Sequence, residues 1–161
     1  MKQDRFLVGI LIFIGLLVIA ALVLFFVRQE APAYGPEDQP EGVIRNYAVA
    51  LQKGDYSRAY NYLADVSYKP TYDSFLSAFM TRQLDTGNAA LQIGEKPLQS
   101  DDKATLAITV LYPGSGPFDT GWSSTDKATL VRQNGAWKIT YLPYPFWGWD
   151  WYTQTPEPIK P

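Results

Sequence analysis

The chain has 161 residues, a formal net charge of −2 and an aromatic content of 15%. It contains neither histidine nor cysteine, which excludes zinc and haem-type ligation through those side chains, disulfides, and Ser-His-Asp or Cys-His catalysis. A near-balanced charge with no basic stripe also excludes the usual electrostatic footprint of nucleic-acid binding.

Phe6 to Val27 is an unbroken apolar run without a charged or strongly polar side chain. As a helix it is about 33 Å long, enough to cross a hydrocarbon core of ~30 Å. A cleavable signal peptide is the rival reading, with Lys2 and Arg5 as its charged start and Ala31-Pro32-Ala33 as a loose cleavage site. The run exceeds the ~7–15 apolar residues of a signal h-region, which favours an uncleaved anchor in the lipid bilayer. Lys2 and Arg5 precede the helix, whereas Glu30, Glu37, Asp38 and Glu41 crowd the stretch between Arg28 and Arg45. That bias predicts a cytoplasmic N-terminus and an extracytoplasmic C-terminus, so a single-pass protein at the cell membrane. Gly9 and Gly15 have Phe13 and Ile19 four residues on, so no small-xxx-small dimer seam is present.

The expected organisation is residues 1–28 as tail and spanning helix (6–27), 29–40 as linker, 41–152 as one α+β domain, and 153–161 as a disordered tail. The linker reading rests on the Pro- and acid-rich sequence APAYGPEDQP, Ala31 to Pro40. From Glu41, apolar residues at Val43, Ile44, Tyr47, Ala48, Ala50 and Leu51 keep helical spacing until Gly54, a C-cap residue. Asp55 can cap a second helix with Tyr56, Ala59, Tyr60 and Leu63 inside, and Thr71 a third with Tyr72, Phe75, Leu76, Phe79 and Met80 inside. Thereafter the period changes to two. Strands are predicted at Ala89–Ile93, around Ala104–Tyr112, and at Lys127–Gln133 and Ala136–Leu142 flanking the hairpin dipeptide Asn134-Gly135. Pro113-Gly114-Ser115-Gly116-Pro117 has no Lys and opens no helix, so it reads as a loop rather than a phosphate cradle. Asp101-Asp102 lacks the alternating oxygen ligands of a calcium site and reads as a turn. No metal site and no cofactor is expected.

Helix-Lys53-Gly54-Asp55-helix, entered through VIRNYAVALQ and followed by a meander ending in Asn134-Gly135 and Trp137-Lys138-Ile139, resembles the NTF2-like superfamily over about residues 41 to 142. The resemblance implies three helices packed on a curved antiparallel sheet that forms a cone, and a homodimer through the open sheet face. It is nearest in flavour to small anchored members without a known activity. Isomerase-like members carry an oxyanion-hole tyrosine on the first helix, and Tyr47 occupies the similar position. They also need a carboxylate base after the second helix, where this chain reads Val66-Ser67-Tyr68-Lys69-Pro70-Thr71, and an acid on a later strand, where it has Thr129 and Leu130. Dehydratase-like members use a histidine, which is absent. Tyr47 is therefore expected to be a core or cone-lining residue with a satisfied hydroxyl. The alternative is a small-molecule enzyme using Tyr47 with a carboxylate such as Asp73 or Glu95.

The segment Tyr141 to Tyr152, YLPYPFWGWDWY, holds more aromatic surface than one small cone can bury. Three readings compete: a plug sealing the cone, a membrane-interface belt, and a recognition surface for an envelope glycan, a peptide or a protein partner. On the last reading the binding residues are Tyr144, Trp147, Trp149, Trp151 and Tyr152. An extended segment would place Trp147, Trp149 and Trp151 on one face. At least one of the three is expected to be exposed, with Phe146 and Tyr141 buried. The sequence as a whole points to a non-catalytic binding module at the cell envelope.

Overall fold

The computed structural model describes residues 5–28, 33–94, 97–116 and 119–153. The chain separates into two compact units, Met1–Ala33 and Tyr34–Pro161. In the first, helix α1 spans Arg5–Arg28. Phe6–Phe25, with a mean hydropathy of 3.3, is long and apolar enough to be a candidate membrane span.

The second unit is α+β: helices α2 (Pro40–Gln52), α3 (Tyr56–Asn61) and α4 (Tyr72–Met80), then strands β1 (Ala90–Ile93), β2 (Leu98–Gln99), β3 (Lys103–Tyr112), β4 (Trp122–Gln133) and β5 (Ala136–Tyr141). Local chemistry sets the boundaries. Gly54, at φ +69°, ends α2; its N–H donates to Leu51 O and that of Asp55 to Ala50 O, the paired bonds of a Schellman cap. The Asp55 carboxylate then accepts from Arg58 N and opens α3, and Thr71 Oγ1 accepts from Ser74 N and opens α4. Helix α3 is shorter than its apolar spacing predicts. Leu63 lies beyond it and pairs in parallel with Ile139, extending the outer edge of β5.

The antiparallel sheet runs β1-β3-β4-β5, with β2 also on β3, so β1 and β2 share one edge of β3. On β3 the alternate residues Ala104, Leu106, Ile108 and Val110 are fully buried under the helices, as a period of two demands. The Asn134-Gly135 turn has positive φ at both residues, 52° and 81°, as a type I′ hairpin requires. Phe75 and Phe79 of α4 lie in the core, but Met80 and Tyr72 are exposed. The buried face of α4 is Phe75, Ala78 and Phe79, a narrower stripe than its apolar sequence suggested.

Three expectations need correction. Strand β4 begins at Trp122 rather than near Lys127, because pairing with β3 holds the polar run Ser123 to Asp126 in the sheet. Tyr141 is exposed rather than buried; a register irregularity at Thr129/Leu130 sets it opposite Thr129, and bulges of this kind redirect side chains. The third concerns the linker, whose residues from Tyr34 onward dock on the domain. Buried Asn46 accepts from Gly35 N and donates to Gly35 O, both at 2.8 Å. Glu37 takes a hydrogen bond from Tyr62 at 2.7 Å and an ion pair from Arg58 at 2.9 Å. The Arg58 guanidinium also lies 3.6 Å from the centre of the Tyr34 ring. Residues from Tyr34 to Pro40 are thus part of the folded unit that begins at Tyr34. Residues 154–161 of the expected tail lie outside the described residues.

Candidate functional site: the aromatic segment and the rim of the sheet

Tyr47 projects from the buried face of α2 and donates to Phe146 O at 2.7 Å, fully enclosed. Burial pushes its hydroxyl well above its ordinary pKa, so it stays a protonated donor. The bond ties α2 to the aromatic segment and occupies the proton that an oxyanion hole would need. Asp73 sits in the first turn of α4 and is exposed; Glu95 lies outside the described residues. A pocket of about 410 Å³ opens between α2 and β1, lined by Arg45, Ala48, Val49, Gln52, Ala90, Leu91, Ile93 and Phe146. Neither Tyr47 nor a carboxylate lines it, so the alternative isomerase-like constellation is not assembled among the described residues.

The segment after β5 is curled, not extended. Phe146 N bonds to Pro143 O, and Trp151 N to Gly148 O. Gly148 is required there, since a Cβ would lie 2.5 Å from the Trp151 indole nitrogen. The curl brings Trp147 and Trp151 edge to face at 5.1 Å and inserts Trp151 against Phe75 and Phe79 at 5.2 and 6.2 Å. Tyr152 stacks on Trp147 at 5.5 Å and donates to Ala64 O at 2.5 Å. Desolvation raises its hydroxyl pKa.

The five residues expected to bind therefore part company. Trp147 and Trp151 are core residues, 3% and 6% exposed, whereas Trp149 is 82% and Tyr144 62% exposed. Tyr152 is half-buried. The expected row of three tryptophans on one face does not form, because a turn places residues four apart together where a strand would place residues two apart together. Phe146 is buried, as its position beside the last strand predicted. What remains outward is a pair, Tyr144 and Trp149, on a base of packed rings. They border a pocket of about 190 Å³ that also meets Tyr141, Leu142, Trp147, Gly148, Trp151 and Thr153, room for a ring or a side chain rather than a whole small molecule.

Residues that the sequence did not mark for binding continue this surface. The Tyr112 hydroxyl donates to Tyr144 O at 3.2 Å, and its ring stacks on Trp122 at 4.0 Å with planes 13° apart. The Tyr141 hydroxyl donates to Asp126 at 2.7 Å; that bond, and then burial, raises its pKa. Trp122 was legible only as an isolated aromatic before a Ser/Thr-rich stretch, which gave no strand signal. Asp119 closes the preceding loop, accepting from Ser115 N and Gly121 N at 2.9 and 3.0 Å. These amides bind a carboxylate of the chain itself, in accord with a structural loop. No cluster of metal-ligating side chains occurs among the described residues.

No family model matches the chain, and no curated protein matches it. Among solved structures it is similar to a SEC-C motif containing protein from Rhodopseudomonas palustris, with 10% identity, a TM-score of 0.46, and coverage of 66% of this chain and 79% of that one. A putative calcium/calmodulin-dependent protein kinase type II association domain from Thiobacillus denitrificans gives 11% identity, a TM-score of 0.47 and coverage of 67% and 92%. An NTF-2 like protein of unknown function from Shewanella oneidensis gives 15%, 0.42, and 61% and 88%. Similarity at this level is broad and says nothing of activity.

Proposed function

We propose that this chain is a single-pass membrane protein carrying one extracytoplasmic NTF2-like domain, and that the domain is a non-catalytic binding module. The candidate span Phe6–Phe25 supports the anchor, and the basic residues Lys2 and Arg5 before it support the orientation. The order of three helices followed by a curved antiparallel meander supports the NTF2-like assignment.

The observation that carries the binding role is the split within the aromatic segment. Trp147, Trp151 and Phe146 complete the core and fix the backbone, while Trp149 and Tyr144 stand out from that rigid base. An aromatic held open on a packed support loses little entropy when it meets a partner, and such residues concentrate recognition energy. The commitment of the Tyr47 hydroxyl to Phe146 O favours binding over isomerase-like chemistry at that residue.

The test uses the full chain in phosphatidylcholine nanodiscs, labelled with 5-fluorotryptophan and assigned by single Trp→Phe variants. Fluorine NMR against a panel of short peptides and oligosaccharides should move the Trp149 resonance for at least one probe, with Trp147 and Trp151 unmoved. A panel in which Trp149 never moves contradicts the reading.

A further inference from the structure

We propose that the uncovered inner face of β4, from Trp122 to Asp126, is a binding site for a neutral β-linked hexopyranose chain. Cross-strand partners share a face. Trp122, Ser124 and Asp126 lie opposite Tyr112, Val110 and Ile108, hence on the same side as the buried core. Further along the same strand Ala128 and Leu130 are fully buried, yet Trp122 is 62% exposed and Ser124 and Asp126 are exposed with it. Three residues with inward register are thus left open as a rim, bordered by the aromatic segment through Tyr141 and the Tyr144 carbonyl.

The rim is built for a flat, hydroxyl-bearing ligand. Trp122 rests one face on Tyr112 and offers the other to solvent. Tyr112 is fixed by its hydroxyl bond to Tyr144 O. The loop leading into Trp122 is closed by Asp119 and turns at Gly121, whose φ is +67° and where a Cβ would lie 2.1 Å from Tyr112 O. Four residues along, the Asp126 carboxylate is oriented by Tyr141 Oη at 2.7 Å and Lys127 N at 2.8 Å, and an ionised carboxylate has acceptor sites beyond those two. Ser124 stands between them. From Trp122 to Asp126 the strand spans roughly 13 Å, a length for several linked sugar rings. A hexopyranose with equatorial hydroxyls presents a flat C–H face to an indole and its hydroxyls to oxygen acceptors at the edge.

Other occupants fit less well. An anionic bilayer surface calls for Lys and Arg around the aromatics, but the charges beside the platform are Asp119 and Asp126, and Lys127 alternates to the opposite face. A peptide added as a strand on the edge of β4 would take its backbone bonds and leave the outward face of Trp122 unused, and one donor there, Lys127 N–H, is already given to Asp126.

This site borders the Tyr144 and Trp149 surface through the Tyr112–Tyr144 bond, and its test addresses the rim alone. Cellohexaose and chitohexaose are titrated into the full chain in phosphatidylcholine nanodiscs by isothermal titration calorimetry, a readout that does not depend on Trp122. Saturable binding of at least one hexasaccharide is expected. Trp122→Ala should weaken it at least tenfold and Asp126→Asn several-fold, both melting within a few degrees of wild type, while Met80→Ala, at an exposed position of α4, leaves the affinity unchanged. Absence of binding by both sugars at millimolar concentration, or full affinity in Trp122→Ala, overturns the proposal. So does quenching of Trp122 by brominated phosphatidylcholine, seen as a difference between wild type and Trp122→Ala, since that would place the rim against lipid.

Discussion

Replacing Tyr47 by Phe removes a single oxygen from a fully enclosed polar contact of the domain. The ring keeps its packing, so the change isolates the hydroxyl and its 2.7 Å bond to Phe146 O. Losing one net hydrogen bond costs about 0.5–1.5 kcal/mol, and leaving a buried carbonyl short of its donor raises that to about 1–3 kcal/mol. For a domain of this size, 1 kcal/mol corresponds to about 4 °C in melting temperature. The full chain in nanodiscs should therefore melt roughly 4–12 °C lower, followed by near-ultraviolet circular dichroism, which reports the aromatic packing around Phe146. Any ligand affinity measured at a temperature where the variant is folded should stay within about threefold of wild type. An unchanged melting temperature combined with a loss of orders of magnitude in a catalytic rate would refute the reasoning, because it would place the hydroxyl on a substrate carbonyl.

A fragment beginning at Tyr34 should fold as one cooperative unit, whereas one beginning at Glu41 loses the Gly35 and Glu37 contacts, leaves Asn46 buried without them, and should be less stable by about 1–3 kcal/mol or more in urea titration. Glu37 has its pKa lowered, chiefly by the Tyr62 hydroxyl and also by Arg58 and Asn46. A carboxyl depressed in the folded state stabilises above its unfolded pKa and loses that contribution as pH falls through its folded pKa. Wild type should therefore lose more stability than Glu37→Gln on acidification below the ordinary carboxylate range, and equal slopes would contradict the contact. An alkaline phosphatase fused after Pro161 should be active if the C-terminus lies outside the cytoplasm; a silent phosphatase beside a fluorescent cytoplasm-only reporter would reverse the orientation.

The parts of the fold legible in the sequence are those governed by local chemistry. Gly54 and Asp55 specify a helix end and the next helix start within two residues, and Asn134-Gly135 specifies a hairpin, since each depends on backbone conformations that few residues adopt. Alternation along Ala104 to Tyr112 marks the central strand because one of its faces is buried in the core and the other is not. The docked stretch from Tyr34 to Pro40 was hidden because its partners, Asn46, Arg58 and Tyr62, lie nine or more residues away, and Pro and Glu at its surface mimic a linker. The start of β4 was hidden because Ser123 to Asp126 carry no apolar alternation where the sheet is uncovered. Spacing within the aromatic segment offered a row of three tryptophans only for an extended chain; Pro143, Pro145 and Gly148 break any regular strand, and the turns pair Trp147 with Trp151 and throw Trp149 outward.

That division of the aromatic segment underlies the functional reading, and comparing the unfolding free energies of Trp151→Ala and Trp149→Ala tests it most directly. Trp151 is packed against Phe75, Phe79 and Trp147, and cutting it to Ala should cost about 3–5 kcal/mol in urea titration of the full chain in nanodiscs. Trp149, 82% exposed, should cost under about 1 kcal/mol. Strong destabilisation by both variants would make the segment a plug with no free surface, and mild effects from both would mean it does not complete the core; either result contradicts the account.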